Sequence, residues 1–189
     1  GAFYRSNGNG RGANASATVA TQNFSLRYNA ASAESGNYEA AQAFKSAIKA
    51  PAGVLIPGPK EVGSSEFRSR NQGLDLAVRG GDHLLELKLG RQDIPYQGFP
   101  NQRMDMTRNT SDQVNLRYLG QTAWGSVEAR LYQENTRHTM NFLLNKRSSL
   151  SSLGMPMDTE GKNSGAVVKA DVVLSPGDTL KLGAEWQRY

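Results

Sequence analysis

Residues 127–140, VEARLYQENTRHTM, begin with apolar and polar residues in strict alternation. Apolar side chains stand at 127, 129 and 131, and charged ones at 128 and 130. This pattern predicts a β-strand with one apolar and one charged face. Side chains point to opposite faces with a period of two, so an unbroken strand carries His138 and Met140 onto the charged face.

The same alternation recurs along most of the chain. It covers 24–30, 74–79, 85–89, 114–118, 127–132, 168–172 and 180–187, with a weaker strand of small residues at 13–21. Helical periodicity is nearly absent. The pattern predicts an all-β protein, an antiparallel up-and-down meander of about eight or nine strands.

The predicted connections alternate between short and long. Tight turns are expected at 22–23, 80–82, 120–122 and 175–178, where turn-forming residues cluster. Long segments lie at 35–65, 95–108 and 143–162, and the first contains an Ala-rich stretch, 38–49, that predicts a short helix. Short turns at one rim and long loops at the other indicate an outer-membrane β-barrel with short periplasmic turns and long extracellular loops.

Composition narrows the protein class further. The 189 residues are 38% hydrophobic, with a mean hydropathy of -0.57. No run approaches the roughly 20 apolar residues of a membrane-spanning helix, whereas barrel strands average out to a polar composition. With 0 Cys the chain has no disulfide and no zinc-thiolate site. The net charge is +5, but Lys and Arg are dispersed, so we expect no nucleic-acid partner.

Soft metal-ligand side chains cluster around the strand at 127–140. All 5 Met residues occur there or in the flanking long segments, in three short motifs. The candidate metal ligands are His138, Met140, Met155, Met157, Met104 and Met106. Thioether and imidazole groups suit Cu(I), while His alone would equally suit Zn(II). The other histidine, His83, is predicted to lie on the tight-turn rim, away from these residues.

The chain resembles the N-terminal part of the barrel of a TonB-dependent outer-membrane receptor. The resemblance rests on the strand and loop rhythm, on VEARLYQENTRHTM at 127–140 and on GMPMDTEG at 154–161. It is most similar to the TonB-dependent copper receptor branch, in which a His-x-Met on a barrel strand supplies metal ligands. His138-Thr139-Met140 matches that motif.

The resemblance implies a location in the bacterial outer membrane and copper as the transported ligand, with no catalytic cofactor. It implies contact with membrane lipid and with the TonB complex through a plug. Residues 1–189 would be a partial barrel domain, with the plug and the C-terminal strands absent. The copper branch also has a Cys-containing motif in the plug, which this chain lacks.

Three other functions remain open on the sequence. A ferric-siderophore receptor of the same fold would bind its chelate through Tyr96, Phe99 and Arg103. An outer-membrane barrel enzyme would pair His138 with Glu134 or Asp158, but no nucleophile motif supports it, so we expect no enzymatic activity. A soluble β-sandwich binding domain is compatible with the alternation alone.

Overall fold

The computed structural model describes residues 1–45, 58–146, 154 and 156–189. Within them, nine strands form one antiparallel sheet in which spatial order follows chain order. The strands are β1 (Ala2–Arg5), β2 (Gly10–Ala20), β3 (Phe24–Ser35), β4 (Phe67–Gly80), β5 (His83–Gln97), β6 (Asp105–Thr122), β7 (Gly125–Asn141), β8 (Met157–Ser175) and β9 (Asp178–Arg188). Short 3-10 turns occupy Asn7–Asn9 and Leu144–Lys146. The predicted all-β meander is confirmed.

The strand register places apolar residues beside apolar residues and charged residues beside charged residues on neighbouring strands. Leu116 on β6 pairs with Leu87 on β5 and Leu131 on β7, and all three lie on what we term the apolar face. The opposite, charged face carries Arg117, which contacts Glu86 at 3.2 Å and Glu128 at 2.9 Å. A cleft of about 590 Å³ opens on the charged face, lined by polar groups from β4 to β7.

The apolar face has no covering layer in the part of the chain that the structure describes. Leu131 is 55% exposed and Leu182 is 54% exposed. Met106 is the one buried hydrophobic residue among those described, and it lies at the loop end of the sheet. All nine strands form one sheet, so the structure excludes the sandwich alternative, which needs two packed sheets. Among the described residues, no helix is long and apolar enough to span a membrane.

The apolar face becomes ionic toward the long-loop rim. Glu34 bridges Arg11 and Arg68 across three strands, and hydrogen bonds from these guanidinium groups lower the pKa of its carboxyl. Further outward-facing pairs join Arg70 to Asp93 (4.0 Å), Arg91 to Asp112 (3.5 Å) and Arg137 to Asp158 (2.7 Å). We call this set the outer ion-pair belt.

The connections keep the predicted short and long alternation but differ in their bounds. The turn between β6 and β7 lies at 123–124, so the prediction of a turn at 120–122 is wrong. The two later long segments are shorter than predicted, because β6 already begins at Asp105 and β8 at Met157. Ladder hydrogen bonding thus extends well beyond the apolar part of each strand. Met106 and Met157 are therefore strand residues rather than loop residues.

The first long connection contains no helix over 38–45, so that prediction is wrong for those residues; 46–49 lie outside the described part. This segment is instead tied to the returning chain by an isolated bridge between Glu39 and Glu61. The amide of Ala40 donates to the carbonyl of Lys60 at 2.8 Å. These cross-chain bonds satisfy backbone groups that a helix would have paired internally. The short strand β1 had no alternation to reveal it.

Candidate metal site

Three methionines stand side by side at the loop end of the sheet. Met140 on β7 pairs directly with Met106 on β6 and with Met157 on β8. Directly paired residues project to the same face, and neighbouring strands lie about 4.8 Å apart. Three thioethers from consecutive strands therefore line up within roughly 10 Å on the charged face. We call this set the thioether row.

His138 lies two residues before Met140 on the same face. The β7–β8 register runs without a shift from Gly125 to Met140, so the predicted parity holds in the structure. The Nδ1 atom of half-buried His138 lies 3.3 Å from Oδ1 of Asn109. An amide oxygen only accepts, so the ring donates to it from Nδ1, and Nε2 is the nitrogen left for another partner. His138 thus lies on the same face of β7 as Met140, with its Nδ1 side held by Asn109.

The thioether row and His138 form a soft donor set. Over the described ranges, no three His, Cys, Asp or Glu side chains are grouped to hold a metal ion. Hard cations such as Mg²⁺ and Ca²⁺ prefer oxygen ligands, whereas thioethers with imidazole suit Cu(I). A soft monovalent metal is the class of ion that such donors would suit.

The remaining methionine candidates are separate from the row. Met104 is half-buried in the bend that precedes β6. Met155 lies outside the described residues. Both stay predictions as metal ligands.

The residues suggested for a siderophore do not converge. Tyr96 pairs with Arg68 on the same side as the outer ion-pair belt, with the Arg68 guanidinium carbon 5.7 Å from the ring centroid. Tyr96 therefore faces away from His138. Arg103 is exposed and Phe99 is half-buried, both in the connection between β5 and β6.

The groups considered for an enzyme are engaged elsewhere. Glu134 accepts hydrogen bonds from Ser111 at 3.0 Å and Gln113 at 3.1 Å. Asp158 lies on the opposite face from His138, and its hydrogen bond from Arg137 lowers the pKa of its carboxyl. Neither of these two carboxylates is hydrogen-bonded to the imidazole of His138.

His83 opens β5 at the tight-turn rim, as predicted. Its Nδ1 lies 2.8 Å from the hydroxyl of Tyr118, and the two rings stack with centroids 5.9 Å apart. The full length of the sheet separates it from His138.

A buried polar cluster beside the thioether row escaped the sequence analysis. The carboxylate of Asp105 is 0% exposed and is contacted by Lys146, Ser64 and the amide of Phe99. These residues come from three different long connections and from the start of β6. We call this cluster the loop clamp. The one signal in the sequence was an aspartate between two methionines, which by itself does not indicate burial.

Glu66, next to the loop clamp, makes the stability of the long connections depend on pH. Burial raises the pKa of Glu66 above its ordinary value of 4.5, and the carboxylates of Asp105 and Glu61 raise it further. The folded protein thus binds this proton more tightly than the unfolded chain. The resulting stability is present below the unfolded pKa and is lost as pH rises through the folded pKa.

Glu66→Gln imitates the protonated form and is expected to slow hydrogen exchange of the Gly98 amide by a few fold at neutral pH. That amide donates to the carbonyl of Glu66 at 2.8 Å. Exchange measured by mass spectrometry should converge with wild type as pH falls toward the unfolded pKa of 4.5. Glu160→Gln, an exposed change on β8, is the control. Equal protection of the Gly98 amide in wild type and Glu66→Gln at neutral pH would contradict the prediction.

Comparisons with known proteins address the fold. No family model matches the sequence, and no curated protein matches it. Among solved structures, the copper transporter OprC aligns with a TM-score of 0.70 and 19% identity, over 95% of this chain and 26% of that one. The FrpB iron transporter from Neisseria meningitidis (F3-3 variant) aligns with a TM-score of 0.66 and 18% identity, over 95% of this chain and 29% of that one.

A third structure, a mutant ferric enterobactin receptor (PfeA) from Pseudomonas aeruginosa, aligns with a TM-score of 0.59 and 20% identity, over 98% of this chain and 29% of that one. The chain has the fold of part of a TonB-dependent receptor barrel. It spans between a quarter and a third of the length of these receptors, as the 26% and 29% coverages show. In outer-membrane barrels, the apolar face of the wall is the lipid side and the polar face lines the lumen.

Proposed function

We propose that the chain forms part of the barrel wall of an outer-membrane receptor that imports a metal ion or metal chelate, with Cu(I) as the favoured ligand. The observation that carries the proposal is the thioether row beside His138 on the lumenal face. A ligand entering through the loops would meet these donors before it reached the membrane-spanning part of the lumen.

Two features support import of a metal rather than a chemical reaction. The structural neighbours are a copper transporter, an iron transporter and a ferric enterobactin receptor. The imidazole of His138 contacts an amide, not a carboxylate or a nucleophile. The donor set favours copper over a ferric chelate, because thioethers suit Cu(I) and the aromatic candidate Tyr96, which would contact a chelate, faces away.

The proposed partners follow from the two faces of the sheet. Membrane lipid would cover the apolar face, and the exposed leucines there support this. Residues 1–189 act as one segment of a larger barrel, and a plug supplied by the whole receptor would connect it to the TonB complex. No bond is made or broken in the transported ligand.

The test is a metal titration of the whole receptor, purified from outer membranes in detergent. Cu(I) is presented under reducing conditions with a competing chelator, and ferric catecholate is titrated separately. We expect saturable Cu(I) binding with one ion per receptor and no binding of the ferric catecholate. Binding of ferric catecholate without Cu(I) binding would reject copper and favour the siderophore alternative.

A further inference from the structure

We infer that Asp105 is a positioning residue for the thioether row: its buried carboxylate fixes the start of β6 so that Met106 stays buried beside Met140. This inference rests on the proposed function only where it concerns metal affinity. The placement of Met106 can be tested in the metal-free protein.

The carboxylate of Asp105 gathers donors from separate segments. Oδ1 accepts from the Phe99 amide at 2.9 Å and from Lys146 Nζ at 2.5 Å. Oδ2 accepts from the hydroxyl of Ser64 at 3.0 Å. With no exposure to solvent, the charge depends entirely on these donors, since an unpaired buried carboxylate is strongly unfavourable.

Lys146 connects the segment after β7 to the same point. Its side chain is only 15% exposed, and its ammonium also donates to the carbonyl of Phe99 at 2.8 Å. Removing either charge leaves the other buried without compensation. The three connections around Asp105 therefore hold one another in place.

Backbone packing shows that the loop clamp tolerates little displacement. Ser64 is 1% exposed and has a positive φ of 56°, a conformation that is uncommon outside glycine. Gly98 packs against the Ser64 carbonyl so closely that a side-chain carbon at Gly98 would overlap it. The backbone of the connection before β6 is therefore held close to Asp105 by its packing against Ser64.

The register of Met106 needs such an anchor. A bulge at Thr107 interrupts the β6–β7 ladder, with pairing shifted between Met106 and Arg108. The long ladder from Arg108 onward therefore does not by itself set the position of Met106. Beyond the bulge the β6–β7 ladder keeps only the pairs Asp105–Asn141 and Met106–Met140, and on the other side Met106 has a single pair with Gln97 of β5. The loop clamp supplies the constraint at this short end, through the residue directly before Met106.

Met106 reports on this constraint directly. It is 6% exposed, whereas Met157 at the other end of the row is 37% exposed. Buried thioethers are protected from oxidation to the sulfoxide, and exposed ones are not. A loosened clamp would expose Met106 while leaving Met157 unchanged, which a general loss of barrel structure would not do.

The experiment uses the whole receptor and the variants Asp105→Asn and Lys146→Met. The matched control is Glu160→Gln with Lys162→Met, which removes an exposed pair at 3.1 Å on β8. Metal-free proteins are treated with hydrogen peroxide, and sulfoxide formation at each Met is followed by mass spectrometry. We expect the oxidation rate of Met106 to rise about tenfold in both clamp variants, because each loses a hydrogen bond to a charged group. The oxidation rate of Met157 should not change.

Cu(I) affinity is measured on the same proteins, and heat-dependent gel mobility checks that the barrel is intact. We expect the clamp variants to bind Cu(I) about tenfold more weakly and the control to match wild type. Protection of Met106 at the wild-type level in both clamp variants would overturn the inference. If Asp105→Asn fails to assemble, the oxidation of Met106 in Lys146→Met alone decides whether the inference holds. If wild type binds no Cu(I), the proposed function fails, while the oxidation result still judges the position of Met106.

Discussion

Replacing His138 and Met140 together by Ala is expected to lower the Cu(I) affinity of the whole receptor by about a hundredfold or more. The double change removes the imidazole and the central thioether of the row. Met106 and Met157 would remain, but they pair with Met140 from opposite sides and not with each other. Their separation of roughly two strand spacings leaves them without the donor that stood between them.

The measurement is a Cu(I) titration against a competing chelator. His83→Ala is the matched control, because that histidine contacts Tyr118 at the far rim of the sheet. Wild-type affinity in the double variant would remove His138 and Met140 from the site. The single changes Met106→Leu and Met157→Leu conserve volume, and each is expected to weaken binding by about tenfold.

Leu116→Arg is expected to destabilise the membrane-inserted barrel by about 2–4 kcal/mol. Leu116 lies on the apolar face, flanked by Leu87 and Leu131. An arginine there would place a charge among lipid chains, in a row that offers it no acceptor. The adjacent strands supply only aliphatic side chains at this level.

Asn115→Arg is the matched control, because residue 115 lies at the same depth and faces the polar cleft. Both variants of the whole receptor would be folded into lipid vesicles and unfolded with denaturant. We expect a reduced free energy of unfolding for Leu116→Arg alone. Equal losses in the two variants would contradict the assignment of the faces.

The strands and their faces were predictable because each rests on local alternation. The parity of His138 and Met140 followed from counting along β7, and the unshifted β7–β8 register confirms it. The side-by-side placement of Met106, Met140 and Met157 was not predictable. It depends on how far pairing continues past the apolar part of each strand, and on the bulge at Thr107.

The loop clamp could not be predicted from the sequence either. Burial of Asp105 arises where residues distant in the chain meet, and Ser64 and Lys146 lie 41 positions from it on either side. No local pattern encodes such a meeting. The wrong turn at 120–122 has a local cause: glycine at 120 suggested a turn, whereas it lies opposite His83 in the β5–β6 ladder.

In the proposed receptor, the outer ion-pair belt would limit how deeply the barrel is immersed in the membrane. On β6 the lipid-facing residues change from Val114 to Asp112 in a single step, and on β5 from Leu89 to Arg91. Sinking the barrel by one such step, about 5 Å along the membrane normal, would place the charges of Arg91 and Asp112 in hydrocarbon at several kcal/mol per ion. Met106 lies six residues beyond Asp112, so the thioether row stands roughly 15 Å outside the hydrocarbon. Under the proposed function, a metal ion would therefore exchange its water for sulfur in the aqueous space above the bilayer, before it crosses the low-dielectric layer.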